Sequence, residues 1–340
     1  QRRADCDFEA ALLFLYAGEC GVDADAQKTG ESILDFLYFR SGLLNRFDKR
    51  YPAGSWNWSH IRRESVVFFD DNAWCVFIPL AIAKRYPELD AKYDLTKWAL
   101  TLADEFIPAM RRSFQTENPE VPGTWGDPQF QWRGRFELPH WGSLATMALS
   151  RASQVKPIPV WRDEVRRYHD YVAGALDNFT VSEHAYALLG AAEAYRTFGE
   201  QADCELAERA AKLILAKLDP ATGNIPAEHY EAPKGEHLVD TIYTLNWSFL
   251  ALQMAAELTG NATIAAAKAK QAELLLSIQD RSDSDFFNGC WRGMFDLKTK
   301  SWGGGNCYEG GAGSIYTGWT NAPISLGLLL ETRKSSLLDL

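Results

Sequence analysis

Helical segments of two kinds take turns along this chain, and that alternation limits its fold more than any other feature. Odd-numbered helical patterns are apolar all round: about Asp7–Ala17, a third opening at Phe69-Asp70 and free of charge until Lys84, about Pro139–Ala152, Ser182–Phe198, about Asp240–Thr259 and about Gly313–Thr332. Even-numbered ones have a polar face: about Lys28–Leu43, Ala91–Arg112, Val160–Leu176, Gln201–Leu218 and Ala262–Ile278. A helix without a polar face must be buried, whereas a two-faced helix covers something and meets water. Period-2 alternation is nearly absent, so the chain reads as all-α.

Links from a buried helix to its covering helix are generally short, as at Gly199-Glu200 and Gly260-Asn261. The return links are mostly long and aromatic: 45–69, 113–137 and 279–312. Repeated helical hairpins of this kind stack side by side. A single domain over 1–340 is expected, an (α/α)6 toroid of helical hairpins lacking one outer helix. An open superhelical solenoid is the competing architecture. Pro79 and Pro323 are expected to kink the buried helices that hold them.

The net charge of -10 opposes nucleic-acid binding, because phosphates need a basic surface. No stretch has the length and apolarity of a membrane span. No leader is visible at Gln1-Arg2-Arg3-Ala4-Asp5, so one has been removed or the chain belongs to a longer protein with further domains. A periplasmic or secreted setting is favoured over the cytoplasm. The six cysteines form no metal-ligand spacing; Cys290 and Cys307 flank one loop and could pair, with free thiols as the alternative. Gly303-Gly304-Gly305 lacks the preceding strand and following Lys of a phosphate loop. Neither a metal nor a cofactor is expected.

In a ring of hairpins the buried helices run one way, so their N-terminal ends share a rim with the long loops. Carboxyl groups expected there are Asp70, Asp71, Glu183, Asp240 and Glu309. Polar partners are Arg133, His140, His184, Arg292 and Asn321. Flat rings are Trp58, Trp74, Trp132, Trp141, Tyr243, Trp247, Trp291, Tyr308 and Trp319. Such a mixture suits a sugar chain, whose C–H faces stack on aromatic rings while its hydroxyls need directed donors and acceptors. Each residue also has a plainer reading: Asp70 as a helix cap, Asp71 as a favourable charge on the helix dipole, the histidines as satisfied structural groups.

Phe69-Asp70-Asp71-Asn72-Ala73-Trp74 resembles the Asp-Asp segment that opens an inner helix in α-1,6-mannanase-like and unsaturated glucuronyl hydrolase-like enzymes of the six-hairpin glycosidase superfamily. The resemblance implies the toroid and a catalytic aspartate at Asp70 or Asp71. Trp132-Arg133-Gly134 is only a fragment of the Trp-x-Arg-Gly-x-x-Trp motif of the glucuronyl hydrolases.

Three functions follow as expectations. Glycoside hydrolysis needs two carboxyl groups. Asp71 or Asp70, kept ionised by the helix dipole, would be base or nucleophile, and Glu309, Glu183 or Asp240 the acid. A polysaccharide lyase would draw on His140, His184 or Tyr243 as base, with Arg133 and Asn321 against a uronate carboxylate. A glycan-binding protein without chemistry would keep only the aromatic rings.

Overall fold

The computed structural model describes residues 2–49, 51–61, 66–115, 132–228, 235–304 and 311–340. Two compact units account for the chain: one holds 1–174, 193–200 and 340, the other 175–192 and 201–339.

The first unit contains α1 (Ala4–Glu19), α2 (Ala26–Asp35, continued by a π-helical turn Phe36–Arg40), β1 (Val67–Phe68), α3 (Phe69–Arg85), α4 (Pro87–Tyr93), α5 (Leu95–Gln115), β2 (Trp132–Arg133), α6 (Pro139–Val155) and α7 (Pro159–Ala175). Residues Phe69–Ile82 of α3 and Pro139–Ser153 of α6 are buried without a break, as helices lacking a polar face must be. The expected fourth helix is divided: Asp94, in the left-handed region at φ 57°, ends the short α4 before α5 begins. α3 passes through Pro79 as one helix.

Strand pairing brings the starts of α3 and α6 together, and an amide fixes the loop that enters α3. β1 pairs in parallel with β2, Val67 opposite Trp132 and Phe68 opposite Arg133. The Asn72 amide brackets the incoming loop: its Oδ1 accepts from the Trp56 N–H at 2.8 Å, and its Nδ2 donates to the carbonyls of Trp56 and Phe68. Glycines then allow close packing. A Cβ on Gly134, at φ 151°, would come within 2.7 Å of the Trp141 ring, and one on Gly142 would overlap the Tyr168 ring. At the opposite end of α6 the Arg151 guanidinium pairs with Glu193 inside the core, Nε 2.6 Å from Oε1.

The second unit contains most of α8 (Val181–Phe198), α9 (Gln201–Lys217), β3 (Leu238–Asp240), α10 (Leu245–Thr259), α11 (Ala262–Ile278), β4 (Met294–Asp296), β5 (Ser301–Trp302) and α12 (Ala322–Thr332). The strands form an antiparallel sheet with β4 central, Asp240 opposite Met294 and Phe295 opposite Trp302. Asn261 caps α11 by accepting from the N–H groups of Thr263 and Ile264. Two expected helices start late. The ninth begins at Leu245, because Asp240 ends a strand, and the eleventh at Ala322, which puts Pro323 in the first turn, where it causes no kink. Cys290 is a free thiol, and Cys307, the other half of the expected pair, lies outside the described residues. No helix among the described residues is long and apolar enough to cross a membrane.

Candidate active site

Three helix starts converge in the first unit. The acidic first turn of α3 offers Asp70 and Asp71, α6 opens with His140 and Trp141, and α1 opens with Arg3 and Asp5. His140 Nε2 lies 3.0 Å from Asp70 Oδ2. Arg3 Nη2 lies 2.8 Å from Asp71 Oδ1 and 3.0 Å from Asp5 Oδ2, so one guanidinium joins two carboxylates. Its Cζ stands 5.4 Å from the centre of the Trp58 ring, and the His140 and Trp141 rings stack at 4.7 Å. Trp74, one turn into α3, is buried.

Each aspartate of the pair therefore has one oxygen set against a basic group of another helix. The others, Asp70 Oδ1 and Asp71 Oδ2, are buried and accept no hydrogen bond among the described residues. Burial pushes the Asp71 carboxyl well above the usual carboxylate range; Arg3 opposes this shift, and Asp5 and Asp70 add to it. That corrects the expectation of an Asp71 held ionised by the helix dipole, because desolvation in this crowd of acids outweighs the dipole.

The remaining residues divide by surroundings. Trp132 is a core ring, 4.4 Å from Phe69 and 6.0 Å from Phe106, and Trp56 packs against Phe8 and Tyr38. Both rings are buried. Arg133 is exposed on β2.

In the second unit Glu183 and His184 are buried in the first turn of α8. His184 Nε2 lies 2.9 Å from the Leu176 carbonyl, and burial lowers the imidazole pKa. Asp240 is fully buried and serves the turn into α10: Oδ1 accepts from the N–H groups of Ile242 and Tyr243, and Oδ2 from the Thr244 hydroxyl. Asn321 accepts from the Trp291 N–H and donates to the Trp291 and Tyr316 carbonyls. The indole N–H groups of Trp247 and Trp291 donate to the carbonyls of Ile242 and Leu275. Arg292 is drawn to Asp280 and the Ala312 carbonyl.

Trp319 is buried in the left-handed region at φ 54°, a strained conformation for a bulky residue. Its carbonyl accepts from Asn246 at 2.6 Å, and its ring lies 5.1 Å from Trp247 and 6.5 Å from Tyr243. Tyr308 and Glu309 lie outside the described residues.

Sequence reasoning missed Arg3, Asp5 and Glu9. Asp5 and Glu9 are buried one turn apart on α1. The rule that found Asp70, polar groups at the start of a buried helix, applies to them equally. Placing the start of the first helix at Asp7 instead of Ala4 hid Arg3 and Asp5, and treating that helix as apolar all round passed over Glu9. Among the described residues no group of His, Cys, Asp and Glu could hold a metal ion.

No family model matches the chain, and no curated protein matches it by sequence. Solved structures do. A cellobiose 2-epimerase from Spirochaeta thermophila superposes with a TM-score of 0.67 at 12% identity, over 98% of this chain and 87% of its own. A glycoside hydrolase family 76 mannosidase from Bacteroides thetaiotaomicron gives 0.61 at 9% identity, over 97% and 88%. An unsaturated glucuronyl hydrolase gives 0.62 at 16% identity, over 96% and 85%. The fold is thereby established as the all-α (α/α)6 toroid that these structures share.

Proposed function

We propose that this chain is a carbohydrate-active enzyme, a glycoside hydrolase that works with Asp70 and Asp71. One observation carries the reading: two adjacent carboxyl groups, each tethered through one oxygen to a basic group of a neighbouring helix, each with a second buried oxygen left to act. Asp71, whose proton affinity burial raises, gives its proton to the leaving oxygen. Asp70, beside His140, acts as base or nucleophile at the sugar carbon. Trp58, Trp74 and Trp141 supply apolar surface next to these groups. The solved structures of the same fold include sugar hydrolases and epimerases, which supports a sugar substrate.

The test is a panel of oligosaccharides and aryl glycosides assayed for new reducing ends, with the wild type against Asp70→Asn and Asp71→Asn. Release by the wild type and its loss in both variants is expected. A product carrying a conjugated double bond would mean elimination instead and overturn the reading.

A second reading, sugar epimerisation, is favoured by the His140–Asp70 contact alone, since a carboxylate-oriented imidazole is a competent proton carrier. It predicts uptake of solvent deuterium into a sugar of unchanged chain length.

A further inference from the structure

We infer that Arg3 and Asp5 form a positioning device that holds the Asp71 carboxyl in place and sets its proton affinity through a bridging guanidinium. The inference rests on the hydrolase reading for the role of Asp71, but its geometry stands without it. Arg3 Nη2 reaches both carboxylates, at 2.8 Å and 3.0 Å, from the residue just before α1. Asp5 is completely buried, and only its Oδ2 meets the guanidinium; its Oδ1 accepts no hydrogen bond among the described residues.

A buried carboxylate at that distance has a definite effect on its neighbour. It competes with Asp71 for the single cation, and its own charge disfavours a second negative charge nearby. Arg3 acts the other way. The two residues are therefore opposed levers on one proton. The remaining groups that interact with Asp71 are Cys6 of α1 and Asp70 and Cys75 of α3, with His140 of α6 beside Asp70. None of these joins two carboxylates as Arg3 does.

The opposed directions give a test that a merely structural role would not pass. The chain of 340 residues is titrated by carbon NMR of its carboxyl groups, with the Asp71 signal identified by its loss in Asp71→Asn. Asp5→Asn frees Arg3 for Asp71 and should move its titration to lower pH. Arg3→Gln removes the cation and should move it to higher pH. Arg3→Lys, which keeps the charge, should fall between Arg3→Gln and the wild type. On any glycoside the wild type cleaves, the alkaline limb of the pH–rate profile should move with each titration.

Movement of Asp71 in the same direction in Asp5→Asn and Arg3→Gln, or in neither, overturns the inference. If Arg3→Gln does not fold, Asp5→Asn and Arg3→Lys decide instead, and an unmoved or raised titration in Asp5→Asn is fatal. Opposed shifts in a chain that cleaves no glycoside would sink the hydrolase reading and leave the bridge standing. Cleavage without opposed shifts would do the reverse.

Discussion

The helix starts of the two units look alike in sequence and differ in what their polar groups do. In the first unit, Asp70 and Asp71 meet side chains from other helices and keep one oxygen each without a hydrogen bond among the described residues. In the second, Asp240 and Asn321 direct their hydrogen bonds to groups close by: Asp240 to the turn after it, Asn321 to the backbone of Trp291 and Tyr316. A buried carboxylate whose oxygens all serve local turns shapes the chain. One with an oxygen left over, next to a cation and a second acid, is a candidate for chemistry, as proposed above.

The largest effect should come from the first unit. Asp70→Asn and Asp71→Asn are each expected to lower turnover by about 10²- to 10⁴-fold, the usual contribution of a positioned acid or base. Asp240→Asn should leave the turnover of folded protein within about threefold, because its oxygens are committed to the turn into α10. Steady-state assays on one substrate decide, and an Asp240→Asn loss as deep as that of Asp71→Asn would erase the contrast.

Stability should reverse the order. Asn321→Ala removes a side chain that makes three hydrogen bonds to buried or part-buried backbone. Leaving such partners unmet costs about 1–3 kcal/mol. Chemical denaturation should show that loss, with turnover per folded molecule unchanged. If Asn321→Ala abolished turnover without changing the denaturation midpoint, Asn321 would belong with the catalytic groups.

The same comparison shows how far the sequence carries. Burial of α3 and α6 was legible because Asn72–Ala83 and Trp141–Ser150 contain no charged residue, and physics leaves such helices one location. The fold class followed from repeating that argument. Asp70 and Asp71 were legible for the same reason, as charges at the start of a buried helix. What stayed hidden depends on partners far away in sequence. Nothing local to Arg3 announces Asp71, 68 residues on. Nor does anything local show that Asp240 closes a sheet strand and caps a turn, since its strand partner Met294 lies beyond two further helices. Trp132 misled in the opposite sense: an indole in a long loop reads as a platform, and only Phe69 and Phe106 show it to be core.

The smallest expected effect is a pH slope, and it sharpens the contrast between carboxylates. Burial raises Asp71 above its ordinary value, so the folded chain holds that proton more tightly than the unfolded chain. Below the ordinary carboxylate range both states are protonated, and Asp71 adds no pH dependence. As pH rises through the window up to the folded-state value, the unfolded chain releases its proton first, and stability must fall. Above the window the loss is complete and level. Asp71→Asn should flatten this part of the stability–pH curve, measured by denaturant midpoints at successive pH values. Asp240 is raised by burial as well, but its hydrogen bonds with Thr244, Tyr243 and Ile242 favour the ionised form and offset part of that shift. Asp240→Asn should accordingly change the slope less than Asp71→Asn. An Asp71→Asn curve with the wild-type slope would show that Asp71 gains no proton affinity on folding and is therefore unfit to be the acid.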